Sequence, residues 1–320
     1  MKKLTNSLTV FLILIFLFSC KSDKKEATEK EPSSDQTETT KTNKRFVDVT
    51  TKSMEFMSVD TIRSGWNTFK YHNLSNETHF LLVEKYPPGK TIDTLETVVV
   101  PVFTKGMDLI NAGKMEEGFA AFGALPEWFS EIQFLGGTGL IAPKQTATST
   151  IKLSPGYYIL ECYVKMPNGK FHSSMGMAKA IIVNDDDSGN TPPSANVHIT
   201  ISSTEGITFN EEIKKGENTF SVYFKDQIVH ENFVGHDVNL VKLDANANID
   251  ALEIWMNWAD PKGLITPVPN GVVFLGGVND SPKGSTGYFT VHLSPGNYAF
   301  ISEVPNALKK GMLKTFTISE

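Results

Sequence analysis

Two cysteines, Cys20 and Cys162, are all that the 320 residues contain. A disulfide-stapled scaffold is thereby excluded, and the fold must rest on a hydrophobic core. Basic clusters are also missing, and the formal net charge is −6. That balance argues against nucleic acid as a partner. No Gly-x-Ser-x-Gly, His-Glu-x-x-His or His-x-His pattern occurs, which removes the usual signatures of a serine hydrolase and of a zinc protease. The longest uncharged apolar run, Leu8 to Phe18, falls short of the ~20 residues a membrane-spanning helix needs.

That run is instead laid out as an export leader. Lys2 and Lys3 form a positive start, the apolar stretch follows, and Leu17-Phe18-Ser19-Cys20 closes it. The last four residues resemble the lipobox of bacterial lipoproteins, with Phe18 bulkier than the usual residue at its place. The resemblance implies cleavage after residue 19, acylation of Cys20 and attachment to a lipid bilayer. The expected location is the cell membrane or outer membrane, facing the periplasm or the exterior. From Lys21 to Lys44 a single alanine is the only apolar residue. Such a segment cannot bury enough surface to offset the entropy of ordering, and reads as a tether over 20–44. If Cys20 carries lipid, Cys162 has no partner in the chain, and is a core residue, an intermolecular link or a metal ligand.

The remaining ~275 residues exceed one small core, and they repeat internally. Gly65-Trp66-Asn67-Thr68-Phe69 returns as Gly216-Glu217-Asn218-Thr219-Phe220. His79, thirteen residues before Ile92-Asp93, returns as His236, thirteen before Ile249-Asp250. Phe134-Leu-Gly-Gly137 returns at Phe274 to Gly277, Leu153-Ser-Pro-Gly156 at Leu293 to Gly296, and Gly176-Met177 as Gly311-Met312. Anchors in the same order imply two homologous domains, 45–184 and 195–320, joined by a turn-rich linker over 185–194. Alternating apolar residues in Thr68–His72 and Thr219–Phe224 predict strands, and Phe80–Val83, Thr150–Leu153, Tyr157–Val164 and Ala180–Val183, bounded by Pro-Gly or Asn-Gly turns, are further strand candidates. The expected class is therefore all-β, two tandem antiparallel Greek-key sandwiches. Helix-like spacing of Met107, Ile110, Met115, Phe119 and Phe122 predicts a small helical insertion over 105–129 in the first copy, shortened in the second. The repeated Phe-Leu-Gly-Gly is expected to be a turn between strands.

The first copy gathers chemistry-bearing residues in order: His79 near an early strand, then Cys162, His172 and Met177 as Cys-x9-His-x4-Met. This arrangement resembles the cupredoxin, or blue copper, family, in which one His comes from an early strand and Cys, His and Met from the loop between the last two strands. The Cys-to-His spacing is longer than in plastocyanin-like members and close to that of copper nitrite reductases. The resemblance implies one copper ion held by His79, Cys162 and His172, with Met177 as a weak axial ligand. Two imidazoles, a thiolate and a distant thioether suit both oxidation states and favour single-electron transfer. Pro167-Asn168-Gly169 would turn the chain so that His172 returns beside Cys162. Met175 is a neighbouring thioether that competes for the axial role.

The second copy keeps His236 and Met312 but places Ser302 where Cys162 stands, and has no His in Glu303 to Lys310. It cannot form the same site, and His236 is expected to be structural. His72, His198, His230 and His292 show no partner spacing and read as surface residues. Asn73-Leu-Ser75 and Asn76-Glu-Thr78 match glycosylation acceptors, a reading that a bacterial leader disfavours. The leading expectation is a membrane-anchored electron-transfer protein that is not an enzyme and works with a redox partner the sequence leaves open. The alternative is a metal-free binding or structural β-sandwich. An enzyme would need further copper ligands, and the sequence offers no His-x-His pair. Exposure of Trp128 or Phe129 would point to partner docking at the insertion, and burial to packing alone.

Overall fold

The computed structural model describes residues 46–320. The leader, the lipid-bearing Cys20 and the tether lie outside the described residues. Seven strands form the first copy: β1 (Val47–Thr51), β2 (Thr61–Asn73), β3 (His79–Lys85), β4 (Gln133–Ile141), β5 (Thr146–Leu153), β6 (Gly156–Glu161) and β7 (Ala178–Asp187). Eight form the second: β8 (Val197–Ser202), β9 (Gly206–Thr208), β10 (Gly216–Phe224), β11 (Val238–Leu243), β12 (Val272–Val278), β13 (Thr286–Leu293), β14 (Gly296–Ile301) and β15 (Leu313–Ile318).

The pairing repeats as the sequence does. In the first copy β1 lies parallel to β2 and β2 antiparallel to β5, opposite a layer ordered β4-β3-β6-β7. In the second, β8 lies parallel to β10 and β10 antiparallel to β13, opposite β12-β11-β14-β15. The described chain is thus all-β, two mostly antiparallel sandwiches of one design in which β1–β2, β2–β7 and β8–β10 pair in parallel. Alternation explains the layering: along β2 buried and more exposed residues take turns over most of its length, placing Phe69 and Tyr71 inward against Leu81, Val83 and Leu160. In the second copy Phe220 stacks on Phe289 at 4.6 Å and meets Phe300 edge-on at 5.5 Å. Each such side chain contributes roughly 1.5–3 kcal/mol on burial.

The two copies are joined through both layers. Strand β5 pairs with β13, and β4 with β12, and the described residues group as one compact unit. The boundary expected at 184 falls inside a strand, because β7 runs on to Asp187. Its early residues are held by β6 and its later ones by β2, so the Asp run does not break it.

Two further expectations change. The helical insertion begins at Ile92 rather than Lys105: α1 (Ile92–Thr94) passes through a π-turn, Leu95–Val99, into α2 (Val100–Asn111), followed by α3 (Met115–Ala121) and a last 3-10 turn at Glu127–Glu131. The β-branched residues of 91–100 hide this from propensity. Burial of Leu95 and Val99 against Tyr86 and Ile159 overrides it, and Pro101 lies in the first turn of α2, where its missing N–H is tolerated. The second copy keeps a shorter counterpart, α4 (Ile249–Trp255). The Phe-Leu-Gly-Gly repeats are not turns but lie inside β4 and β12. Gly137 has φ +122° and Gly277 φ +148°, and a Cβ would stand 1.8 Å from the Leu81 carbonyl oxygen and 1.9 Å from that of Val238. Only glycine fits these β-bulges.

Candidate metal centre

His79 opens β3, and Cys162 follows the last residue of β6. The loop from there to β7 carries His172 and Met177. It folds back as expected through a turn in which Gly169 N donates to Met166 O (2.8 Å), Lys165 and Phe171 bridge, and His172 N donates to Val164 O (2.8 Å). Met177 is stitched to both neighbours: its N donates to His172 O (3.0 Å), and Cys162 N donates to its carbonyl (3.3 Å).

Three donor atoms converge. Nδ1 of His79 and Nδ1 of His172 stand 3.1 Å apart, and Cys162 Sγ lies 3.7 Å from the first and 3.8 Å from the second. All three side chains are fully buried. The circle through these atoms has a radius of about 2.1 Å, close to the metal–imidazole and metal–thiolate distances of ~2.0–2.3 Å. Met177 is completely buried, whereas Met175 is 53 % exposed, so of the two competing thioethers only Met177 lies inside the protein.

The tautomers follow from the hydrogen bonds. The Asn73 amide Nδ2 donates to the carbonyls of Glu77, Ile141 and Ala142, which fixes Asn73 Oδ1 as an acceptor. Ser75 Oγ donates its one proton to that oxygen (2.7 Å) or to Glu77 O (3.1 Å). With its proton given to either, it accepts from His79 Nε2, 2.9 Å away, the arrangement that leaves Nδ1 free for a metal. The proton of His79 then sits on Nε2, and Nδ1 presents a lone pair. His172 Nε2 lies 3.1 Å from Glu77 Oε2, not aligned for a hydrogen bond, and the nearby carboxyl oxygen favours an N–H at Nε2, the same tautomer. Two lone pairs facing each other at 3.1 Å repel unless a cation or a proton lies between them.

Burial sets the charge of the cluster. It pushes His79 down to about 3, with the neighbouring His172 adding to the effect, and His172 down to about 4. It pushes the Cys162 thiol up to about 12 against hydrogen bonds from the Phe80 and Val164 backbone. Without a metal the set is uncharged: two neutral imidazoles and a thiol. A soft cation that displaces the thiol proton matches this set.

The second copy confirms the register and shows what is missing. Ser302 N donates to Met312 O (3.0 Å), as Cys162 N does to Met177 O. Ser302 Oγ donates to Asp237 Oδ1 (3.1 Å), and His236 Nε2 donates to the Asp226 carbonyl (2.8 Å). His236 also stands 3.3 Å from His230, so the expectation that His230 lacks a partner is wrong; the fold of the 226–236 loop, not spacing, brings them together. Of the other histidines, His198 and His292 are exposed and His72 is half-buried. Trp128 and Phe129 are both half-buried, neither free nor fully packed away.

Residues that spacing did not reveal are Asn73, Ser75, Glu77, Lys165 and Thr266. The internal repeat carried a signal for two of them: the positions of Ser75 and Glu77 relative to His79 hold Asn232 and Val234 before His236. Asn73, a candidate glycosylation acceptor, is fully buried.

No family model matches the chain, and no curated protein matches it by sequence. Solved structures do. Reduced auracyanin from Roseiflexus castenholzii is 16 % identical and covers 44 % of this chain and 97 % of its own, with a TM-score of 0.28. Auracyanin A, a "blue" copper protein from Chloroflexus aurantiacus, is 16 % identical over 43 % of this chain and 98 % of its own, TM-score 0.26. A copper nitrite reductase from Nitrosomonas europaea is 12 % identical over 86 % and 93 %, TM-score 0.23. At such low TM-scores the overlaps say nothing about chemistry, for which the donor set stands alone.

Proposed function

We propose that this chain is a lipid-anchored copper protein that passes single electrons through a type 1-like centre in its first copy. The observation that supports it is the buried triangle of two imidazole nitrogens and a thiol sulfur, sized for one ion. His79 and His172 would hold the metal through Nδ1, Cys162 through its thiolate, and Met177 would cap it weakly. Copper would supply a one-electron couple, and a cage fixed by β3, β6 and one braced loop keeps the donors in place through both oxidation states. Attachment through acylated Cys20 to a cell or outer membrane belongs to the same proposal and rests on the leader sequence.

Electron transfer is preferred to catalysis because the sequence carries no His-x-His pair for a further copper. The test is titration of the soluble part, beginning near Arg45, with Cu(II). An intense visible thiolate-to-copper band is expected, saturating at one ion per chain and lost in Cys162→Ser. A colourless, metal-free protein removes the proposal and leaves a metal-free β-sandwich module, a form the second copy already takes.

A further inference from the structure

A cavity of about 350 Å3 opens beside the donor cluster, between the helical insertion and the second copy. Its wall is largely aromatic: Phe103 and Phe122 lie 5.2 Å apart, Phe122 and Trp258 5.7 Å, Phe171 and Trp258 6.0 Å. Set into this wall are three carboxyl groups, Glu84, Glu161 and Asp280, and no Lys, Arg or His lines it. Glu84 is 4 % exposed, and its Oε2 has no hydrogen-bond partner. Glu161 and Asp280 are half-buried although little bulk solvent surrounds them, since both line the cavity. Burial pushes the Glu84 and Asp280 carboxyls upward, with the neighbouring Glu161 adding to the effect at Glu84 and Asp237 at Asp280.

We propose that this cavity binds a small organic cation, an ammonium head on an aromatic or apolar body. The head would sit at Glu84 and Glu161, and the body among Phe103, Phe122 and Trp258. A wall with three acidic side chains and no basic one disfavours anions, and a cation supplies the counter-charge that lets a buried carboxyl ionise. An ammonium also donates to the bare Glu84 Oε2, and ring faces attract positive charge. The volume suits a ligand of a few ring-sized groups. The site needs no metal and does not rest on the copper reading.

The test uses the full chain in detergent, without metal, and three probes of one body: phenethylammonium, 2-phenylethanol and phenylacetate. Calorimetry and Trp fluorescence should show phenethylammonium binding at least about tenfold more tightly than the alcohol, the margin of a charged over a neutral hydrogen bond, and phenylacetate not binding. Glu84→Gln should shrink the amine-over-alcohol preference to about twofold or less. Equal binding of amine and alcohol, no binding by any probe, or a preference unchanged in Glu84→Gln with the fold intact each overturns the proposal. The comparison of probes on the unaltered chain stands even if the variant does not fold.

Discussion

Ser75→Ala isolates the part of the centre that orients a ligand without touching the metal. The hydroxyl accepts from His79 Nε2 at 2.9 Å and hands its own proton to Asn73 or to the Glu77 carbonyl. Without it, the metal-free protein has a remedy: the His79 proton moves to Nδ1 and is donated to His172 Nδ1, 3.1 Å away. Metal-free stability should therefore fall little. Metal binding needs Nδ1 bare, which returns the proton to an Nε2 buried without an acceptor. An unsatisfied buried donor costs about 1–3 kcal/mol, so affinity should drop on the order of 10- to 100-fold. Competition against a calibrated chelator measures that drop, and thermal melting of the metal-free form measures the other half. An affinity within twofold of the parent would refute the reasoning, as would a loss of metal-free stability as large as the loss of affinity.

Met177→Leu keeps the three strong donors, so metal binding should survive while the reduction potential moves, which voltammetry reads. Gly137→Ala and Gly277→Ala each drive a Cβ into a carbonyl oxygen at under 2 Å and should lower the melting temperature by about 10 °C, from a cost of at least ~3 kcal/mol. Metal affinity should fall only in Gly137→Ala, whose bulge bears on the strand that carries His79. Asp280 is raised from 3.8 to about 8 by burial and by Asp237; its folded form keeps a proton that the unfolded form releases. Its contribution to stability is intact below pH 3.8 and is lost as pH rises towards 8. Asp280→Asn should therefore melt as the parent does near pH 4 and progressively higher than the parent towards pH 8, and a constant difference across that range would contradict the assignment.

The elements that sequence reading recovers are those whose causes are local or periodic. Period-two burial gives β2 and β10, the repeated anchors give two sandwiches, and the order His, Cys, His, Met gives the cage because donor types are few and their roles narrow. What it misses depends on partners distant in sequence. The helix over Ile92 to Val99 is written in β-branched residues and exists because Leu95 and Val99 find Tyr86 and Ile159. The Gly-Gly pairs read as turns because only the approach of Leu81 and Val238 reveals a bulge. Asn73 and Ser75 resemble surface polar residues, and become the anchor of His79 only once the end of β4 and the 73–79 turn close around them.

The second copy lacks a counterpart of Cys162 and of His172, yet it braces the first copy's ligand loop. Lys165, fully buried and pushed down to about 8 by burial, donates through Nζ to the carbonyls of Trp258 (3.0 Å) and Asp260 (2.8 Å). Its backbone bridges Ile265, receiving Thr266 N at 3.0 Å and donating to Leu264 O at 2.7 Å. Tyr163 donates to Glu303 Oε2 at 3.1 Å, and these two residues follow Cys162 and Ser302 directly, so the equivalent corners of the two sandwiches meet. The loop between β6 and β7, residues 162–177, carries Cys162, His172 and Met177 and would be free to open if it faced water. Clamped between Cys162 and Met177 by segment 258–266 of the neighbouring sandwich, it holds two lone pairs and a sulfur at distances they would not choose unaided. The second copy, without the Cys162 and His172 counterparts, thus shapes the first copy's donor cluster from outside.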